Sequence, residues 1–177
     1  SIYDFLFPML VKDALSYLIK IYDDMIVNWN TARRYTDVAR ENVFYNIRHM
    51  LHGHNVSQLK NLLRGQVPAF VVSAGPSLNK NIDQLKKVGS KGCIIAVDTA
   101  IKPLLNRGIM PDFFVFVDGK KPTELMNHPL ISQIPLVTCT IVAKGIMDLH
   151  QGKKFYYTSD NPLELLLFKE ARNSTGK

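Results

Sequence analysis

A chain of 177 residues has room for one compact domain, with or without an appendage. Its composition, 46% hydrophobic and 21% charged, is that of a folded globular protein and excludes a disordered tail. No apolar stretch approaches the roughly 18 residues of a membrane span. The N-terminus also lacks a basic region ahead of an apolar core, so a soluble, cytoplasmic protein is expected. Twenty-two basic and 15 acidic residues leave a net charge of +7, most of it after Gln66. That balance suits an anionic ligand. With no Arg-rich segment or block of like charge, the sequence argues against nucleic acid.

In chain order, Pro8 is placed to open a helix, where its missing N–H costs nothing. From Val11, apolar residues recur at Leu15, Leu18, Tyr22, Met25 and Trp29, at the three- and four-residue spacings of one helical face. A second stripe runs through Ala39, Val43, Ile47 and Met50. Ser57 can cap a short third helix, Gln58 to Leu63, stopped by Gly65. Residues 1–66 are therefore expected to form a helical segment, packing on itself or on a neighbouring domain.

At Val67 the pattern changes. Ala69 to Val72, Cys93 to Val97, Phe113 to Val117, Leu136 to Thr140 and Phe155 to Thr158 read as short strands. Helical stretches lie between them, with a last one from Pro162 through Leu163, Leu166, Leu167 and Glu170. Buried strands alternating with helices predict a Rossmann-like, doubly wound, mainly parallel α/β sheet over residues 67–177. Cys93 and Cys139 lie within strand-like runs and are expected to be buried, reduced thiols. The chain ends on Asn173-Ser-Thr-Gly-Lys177, a loop composition with no closing element, and begins without Met. The sheet is thus expected to be the first part of a longer one.

The segment Val71-Val72-Ser73-Ala74-Gly75-Pro76-Ser77-Leu78 joins the first strand of this sheet to its first helix, where open α/β folds bind ligands. Gly75 would let backbone approach a ligand or turn with positive φ, Pro76 fixes its own φ, and Ser77 could cap the helix or face a phosphate. An ordinary strand-to-helix turn fits the same residues equally well. The segment is neither a P-loop nor the three-glycine dinucleotide fingerprint. Asp98 and Asp118 each directly follow a strand, on the same edge as the turn. They could accept hydrogen bonds from sugar hydroxyls or hold Mg²⁺ through water, or serve as a cap and a turn residue. Thr99 could cap in place of Asp98 and free its carboxylate. Lys120 and Lys121 could neutralise phosphate. His49, His52 and His54 cluster at a helix end, without the further ligand a metal site needs. No Ser/His/Asp or Cys/His arrangement is present, so no catalytic residue or resident metal is assigned.

Together, V-V-S-A-G-P-S-L (71–78), C-I-I-A-V-D-T-A (93–100) and G-I-M-P-D-F-F-V-F-V-D (108–118) resemble the motility accessory factor (Maf) family of flagellin glycosyltransferases. That family shares its MptE-like domain with archaeal hydroxymethyl-dihydropterin pyrophosphokinases. The resemblance runs from about Gln66 to Asn173. The first segment is also similar to the G-P-S-L turn of bacterial sialyltransferases. The helices with Asn30-Thr31-Ala32 and the Asn42 to Asn46 stretch resemble the segment before the domain in the glycosyltransferase branch. The resemblance implies a nucleotide or nucleotide-sugar site on Ser73, Gly75, Pro76 and Ser77, with Asp98, Thr99 and Asp118 beside it. The donor would be a CMP-activated nonulosonic or sialic-type sugar and the acceptor a Ser or Thr of flagellin. In the family this domain continues into a Gly-rich turn, a helix and a strand ending in Asp, so catalysis by this stretch alone is not expected. Two alternatives stay open: pyrophosphoryl transfer from ATP with Mg²⁺ to a hydroxymethyl pterin, and a non-catalytic binding or assembly module. An uncovered sheet edge would also favour homo-oligomers.

Overall fold

The structure is a computed structural model that describes residues 2–62, 65–158 and 165–166. It divides into two compact units, residues 1–38 and 39–177. A short helix α1 (Ile2–Leu6) is followed by a long helix α2 (Pro8–Met50). Neither Gly nor Pro occurs between Met9 and Met50, so nothing interrupts the backbone hydrogen-bond ladder and both apolar stripes lie on one helix. In the first unit that stripe faces outward: Leu15, Leu18, Tyr22, Met25 and Trp29 are all exposed.

In the second unit, α2 contributes its last turns, which bury Asn42, Val43, Asn46 and Met50. Strand β1 (His54–Asn55) follows at once, then a 3₁₀ turn, Val56–Leu59. The expected helix from Gln58 is absent from its described part. Asn55, not Ser57, caps the 3₁₀ turn by accepting the Ser57 N–H at 2.8 Å. The other strands are β2 (Ala69–Val72), β3 (Cys93–Val97), β4 (Phe113–Val115), β5 (Leu136–Thr138) and β6 (Lys154–Tyr156). All pairs are parallel, in the order β1-β6-β5-β4-β3-β2. This is the parallel, Rossmann-like α/β sheet the apolar runs predict, preceded by helix. The boundary differs from the expected one at Gln66. It falls between Val38 and Ala39, because the end of α2 and β1 are built into the sheet unit.

Between the strands lie α3 (Leu78–Asn81), α4 (Ile101–Asn106) and α5 (Ile146–Leu149). One face of the sheet carries Ile94, Ala96, Phe114, Leu136 and Thr138, all buried, in one core with Ile101 and Leu104 of α4 and Ile146 and Met147 of α5. Ile95, Val97, Val115 and Val137 alternate onto the other face and are only half-buried. The Phe114 and Phe116 rings meet edge to face at 5.7 Å, centring the core under β4. Cys93 and Cys139 are both buried and free of disulfides, as their strand setting suggests. Burial, with Asp112 nearby, pushes the Cys93 thiol pKa up. The helix expected from Pro162 lies outside the described residues apart from Leu165 and Leu166.

Candidate functional site

Parallel pairing places the ends of β2, β3 and β4 side by side. Val72 is level with Ala96, and Val97 with Val115. Ser73, Asp98 and the loop leading to Asp118 therefore leave the sheet at one carboxyl edge, as the strand order requires. The Ser73–Ser77 turn is closed by Gly75 N–H donating to Ser73 O at 2.9 Å and Leu78 N–H donating to Gly75 O at 2.9 Å. Two sequence expectations change here. Gly75 does not have positive φ, and a Cβ built on it would meet only the Ser77 Oγ, at 3.7 Å. The chain itself leaves the space over Gly75 open. Ser77 occupies the N-cap position in helical conformation and makes no side-chain capping bond. Helix α3 is one turn long before it tightens into a 3₁₀ segment, Ile82–Lys87, so little macrodipole builds up behind the turn. Ser73 and Ser77 line an open groove of about 990 Å³ with Phe70, Val71, Leu85 and Val88. Asp98, Thr99 and Asp118 lie outside that lining.

Asp98 is one of two described non-glycine residues with positive φ, at 21°. L-residues seldom occupy such backbone, and it clusters at functional sites. The Asp98 carboxylate accepts the Thr99 N–H and lies 3.7 Å from Lys121 Nζ, in a largely buried position. Thr99 therefore does not cap in place of Asp98; its own amide occupies the carboxylate. Lys121 ties the end of β3 to the loop after β4. Asp118 forms a local turn, its Oδ1 accepting the Lys120 N–H at 2.9 Å and its carbonyl accepting the Ala143 N–H at 3.1 Å. Of the two aspartates, Asp118 has the more structural setting. Asp98 is already matched by Lys121, and among the described residues no three His, Cys, Asp or Glu side chains gather as a metal cage. The two carboxylates do not by themselves make a Mg²⁺ site.

Two asparagines that patterning treats as part of a helical stripe organise this edge. Asn42 Nδ2 donates to Gly119 O at 3.1 Å and to Ile141 O at 3.0 Å. Asn46 Nδ2 donates to Thr140 O at 2.9 Å and to Val142 O at 2.7 Å, fully buried. One turn apart on α2, they clamp the loops after β4 and β5. The signal was available: two amides beside Val43, on the face that also carries Met50. Asp112, inside the Gly108–Asp118 motif, likewise has a structural task. Its Oδ2 accepts the Ile94 N–H at 2.7 Å while its own N–H donates to Ile94 O at 2.8 Å, locking β4 to β3.

A six-stranded parallel sheet with loops gathered at its carboxyl edge places the molecule among Rossmann-like α/β proteins. The sequence profile of the 6-hydroxymethylpterin diphosphokinase MptE-like family matches residues 41–177, and the chain belongs to that family. The match starts close to where the second compact unit begins. An uncharacterized protein of Treponema pallidum (strain Nichols) is 40% identical over 53 residues, 30% of this chain and 25% of the relative. The 6-hydroxymethyl-7,8-dihydropterin pyrophosphokinase of Methanocaldococcus jannaschii is 33% identical over 82 residues, 45% of this chain and 34% of the relative. A solved structure, the Maf glycosyltransferase of Magnetospirillum magneticum AMB-1, aligns with a TM-score of 0.47 and 25% identity, over 53% of this chain and 16% of its own. The chain thus spans about a quarter to a third of the length of the curated relatives it matches. No described helix is long and apolar enough to cross a membrane.

Proposed function

We propose that this chain carries the nucleotide-binding edge of a transferase whose donor is a CMP-activated nonulosonic or sialic-type sugar. The acceptor would be a protein Ser or Thr, such as one on flagellin. The observation that carries the site is Asp98: positive φ, a largely buried carboxylate and a lysine partner, one strand away from an unfilled Gly-Pro-Ser turn. In sugar transfer the bond between the sugar's anomeric carbon and the CMP phosphate oxygen breaks, and the acceptor hydroxyl takes its place. The leaving phosphate gathers negative charge as it departs. The Ser73 and Ser77 hydroxyls and the open space over Gly75 offer it contact, and the Asp98–Lys121 pair offers a carboxylate to sugar hydroxyls beside a cation for phosphate. The choice of a cytidine donor rests on the sequence resemblance of the turn and of the preceding helical segment.

A second reading is pyrophosphoryl transfer to a hydroxymethyl pterin, favoured by the name of the Methanocaldococcus relative. ATP phosphates would then bring Mg²⁺ with them, to the sheet edge that carries Asp98 and Asp118. Calorimetry with CMP, CDP and ATP on this chain separates the readings. The cytidine reading expects CMP and CDP to bind more tightly than ATP, with Ser77→Ala weakening them by about 1 kcal/mol, one hydrogen bond's worth. It also expects Asp98→Asn to abolish sugar transfer while leaving the melting temperature nearly unchanged, because Asn tolerates positive φ as Asp does. ATP binding with pterin turnover would replace it with the second reading. If none of these ligands binds, the turn is structural and the molecule a binding or assembly module.

A further inference from the structure

Away from the carboxyl edge, the residues where β1 and β6 begin enclose a cleft of about 510 Å³. Its lining includes His52 from the loop after α2, His54 from β1, His49 from the helix end, Lys153 just before β6, and Lys154 and Tyr156 of β6. The floor is tightly built. A Cβ on Gly53 would fall 1.7 Å from the Tyr156 ring, so only glycine lets this loop lie on that ring. Lys154 and Tyr156 are two apart on one strand and share a face. Tyr156 is 3% exposed, yet its hydroxyl has no hydrogen-bond partner among the described residues. Lys154 is half-buried and has no hydrogen-bond or ion-pair partner there either. Burial pulls its pKa down, and the Asp148 charge only partly opposes that.

Buried donors without acceptors are uncommon in native proteins, because each forfeits its hydration. Asp148, which pairs with His49 of the lining, is already engaged. It accepts from Tyr45 Oη at 2.8 Å and Arg48 Nη2 at 3.0 Å, and pairs with His49 Nε2 at 2.8 Å. His54 packs its ring on Phe155 at 5.5 Å. The groups left without partners in the cleft, among the described residues, are therefore donors: the half-buried Lys154 ammonium and the buried Tyr156 phenol, with the exposed Lys153 ammonium at the rim.

We propose that this cleft is a second binding site, for a small phosphate-bearing anion. Its volume lies in the range of small-molecule sites. A phosphate's oxygens would accept from Lys154 and Tyr156 together, with Lys153 and His52 at the exposed rim. The site stands apart from the Ser73–Ser77 turn and does not depend on the transferase reading.

The test uses the chain as it is, with inorganic pyrophosphate and sulfate as probes, by calorimetry and amide chemical-shift mapping. Pyrophosphate should shift amides in residues 52–54 and 152–156. Tyr156→Phe and Lys154→Gln should each weaken binding about tenfold or more, the worth of a hydrogen bond to a charged group. Tyr156→Phe should leave stability unchanged or raised, since it removes a hydroxyl with no partner. Sulfate should compete with pyrophosphate for the same residues. If Lys154→Gln fails to fold, Lys153→Gln at the exposed rim should still weaken pyrophosphate severalfold. Ser77→Ala should change none of this. Parent-like binding by Tyr156→Phe and Lys154→Gln, shifts confined to residues 73–77, or no binding at millimolar pyrophosphate would overturn the proposal.

Discussion

Replacing Asn46 with alanine tests how the end of α2 holds the sheet unit. The substitution removes an amide that donates twice, at 2.9 and 2.7 Å, to the Thr140 and Val142 carbonyls in a fully buried setting. Each bond contributes about 1 kcal/mol net, and each carbonyl left without its donor adds a further desolvation cost, for roughly 2–4 kcal/mol in all. In a unit of this size that corresponds to a fall of about 6–15 °C in melting temperature. Asn46→Asp should be worse at neutral pH, because a carboxylate oxygen would face two carbonyl oxygens at under 3 Å. It should recover in part in acid, where protonation returns one O–H donor. Urea unfolding followed by far-ultraviolet circular dichroism, at neutral and acidic pH, measures both. A loss below about 0.5 kcal/mol for Asn46→Ala, the level of an ordinary surface change, would refute the clamp. So would an Asn46→Asp variant whose deficit is the same at every pH.

His150 should make the fold acid-sensitive. It is fully buried, with Nε2 at 2.9 Å from Ile134 O and no partner for Nδ1 among the described residues, and burial pulls its pKa below the ordinary imidazole value of 6.5. The unfolded chain takes up the proton first, so this contribution is complete above that value and is lost progressively as pH falls beneath it. His150→Gln should flatten the slope of stability between pH 7 and 5, and an unchanged slope would place the sensitivity elsewhere. The glycines should divide by role. A Cβ at Gly152 would sit 2.0 Å from Ser132 O, so Gly152→Ala should destabilise severely, whereas Gly75→Ala meets nothing closer than 3.7 Å and should melt like the parent. If Gly75→Ala also binds nucleotide like the parent, the open space over that turn serves no ligand.

The strands β2 to β6 were legible because each is a short run of apolar residues bounded by turns, a pattern that tertiary context rarely overrides. Their parallel pairing then brought the Gly75 turn and Asp98 to one edge without further information. β1 was not legible. His54-Asn55 is two polar residues, a strand only because β6 pairs with it a hundred positions later. The two-stripe reading of α2 was sound as periodicity but silent on continuity, which depends on the missing helix breakers. Nor could spacing reveal how Asp98 and Thr99 share their roles. The Asp98 carboxylate takes the Thr99 N–H, at a residue with positive φ. Asn42 and Asn46 were visible as polar positions on a core-facing stripe. Their acceptors, carbonyls of loops 77 to 99 residues away, are written nowhere in local pattern.

The pairing of β1 with β6 also governs when this fold can close. During synthesis, His54 and Asn55 emerge about a hundred residues before the Phe155 and Tyr156 they must meet. At ribosomal speeds of about 5–20 residues per second, that is a wait of roughly 5–20 s. Asn46 waits almost as long for its carbonyls. Strands β2 to β5 can meanwhile assemble in the order they appear, each against its predecessor. The sheet grows from one side, and its far margin is sealed by the segment made first. Non-local closure of this kind slows folding and lengthens exposure of the unsatisfied helix end. A chain interrupted before Lys154 would therefore hold most of the core yet lack the strand on which β1 docks.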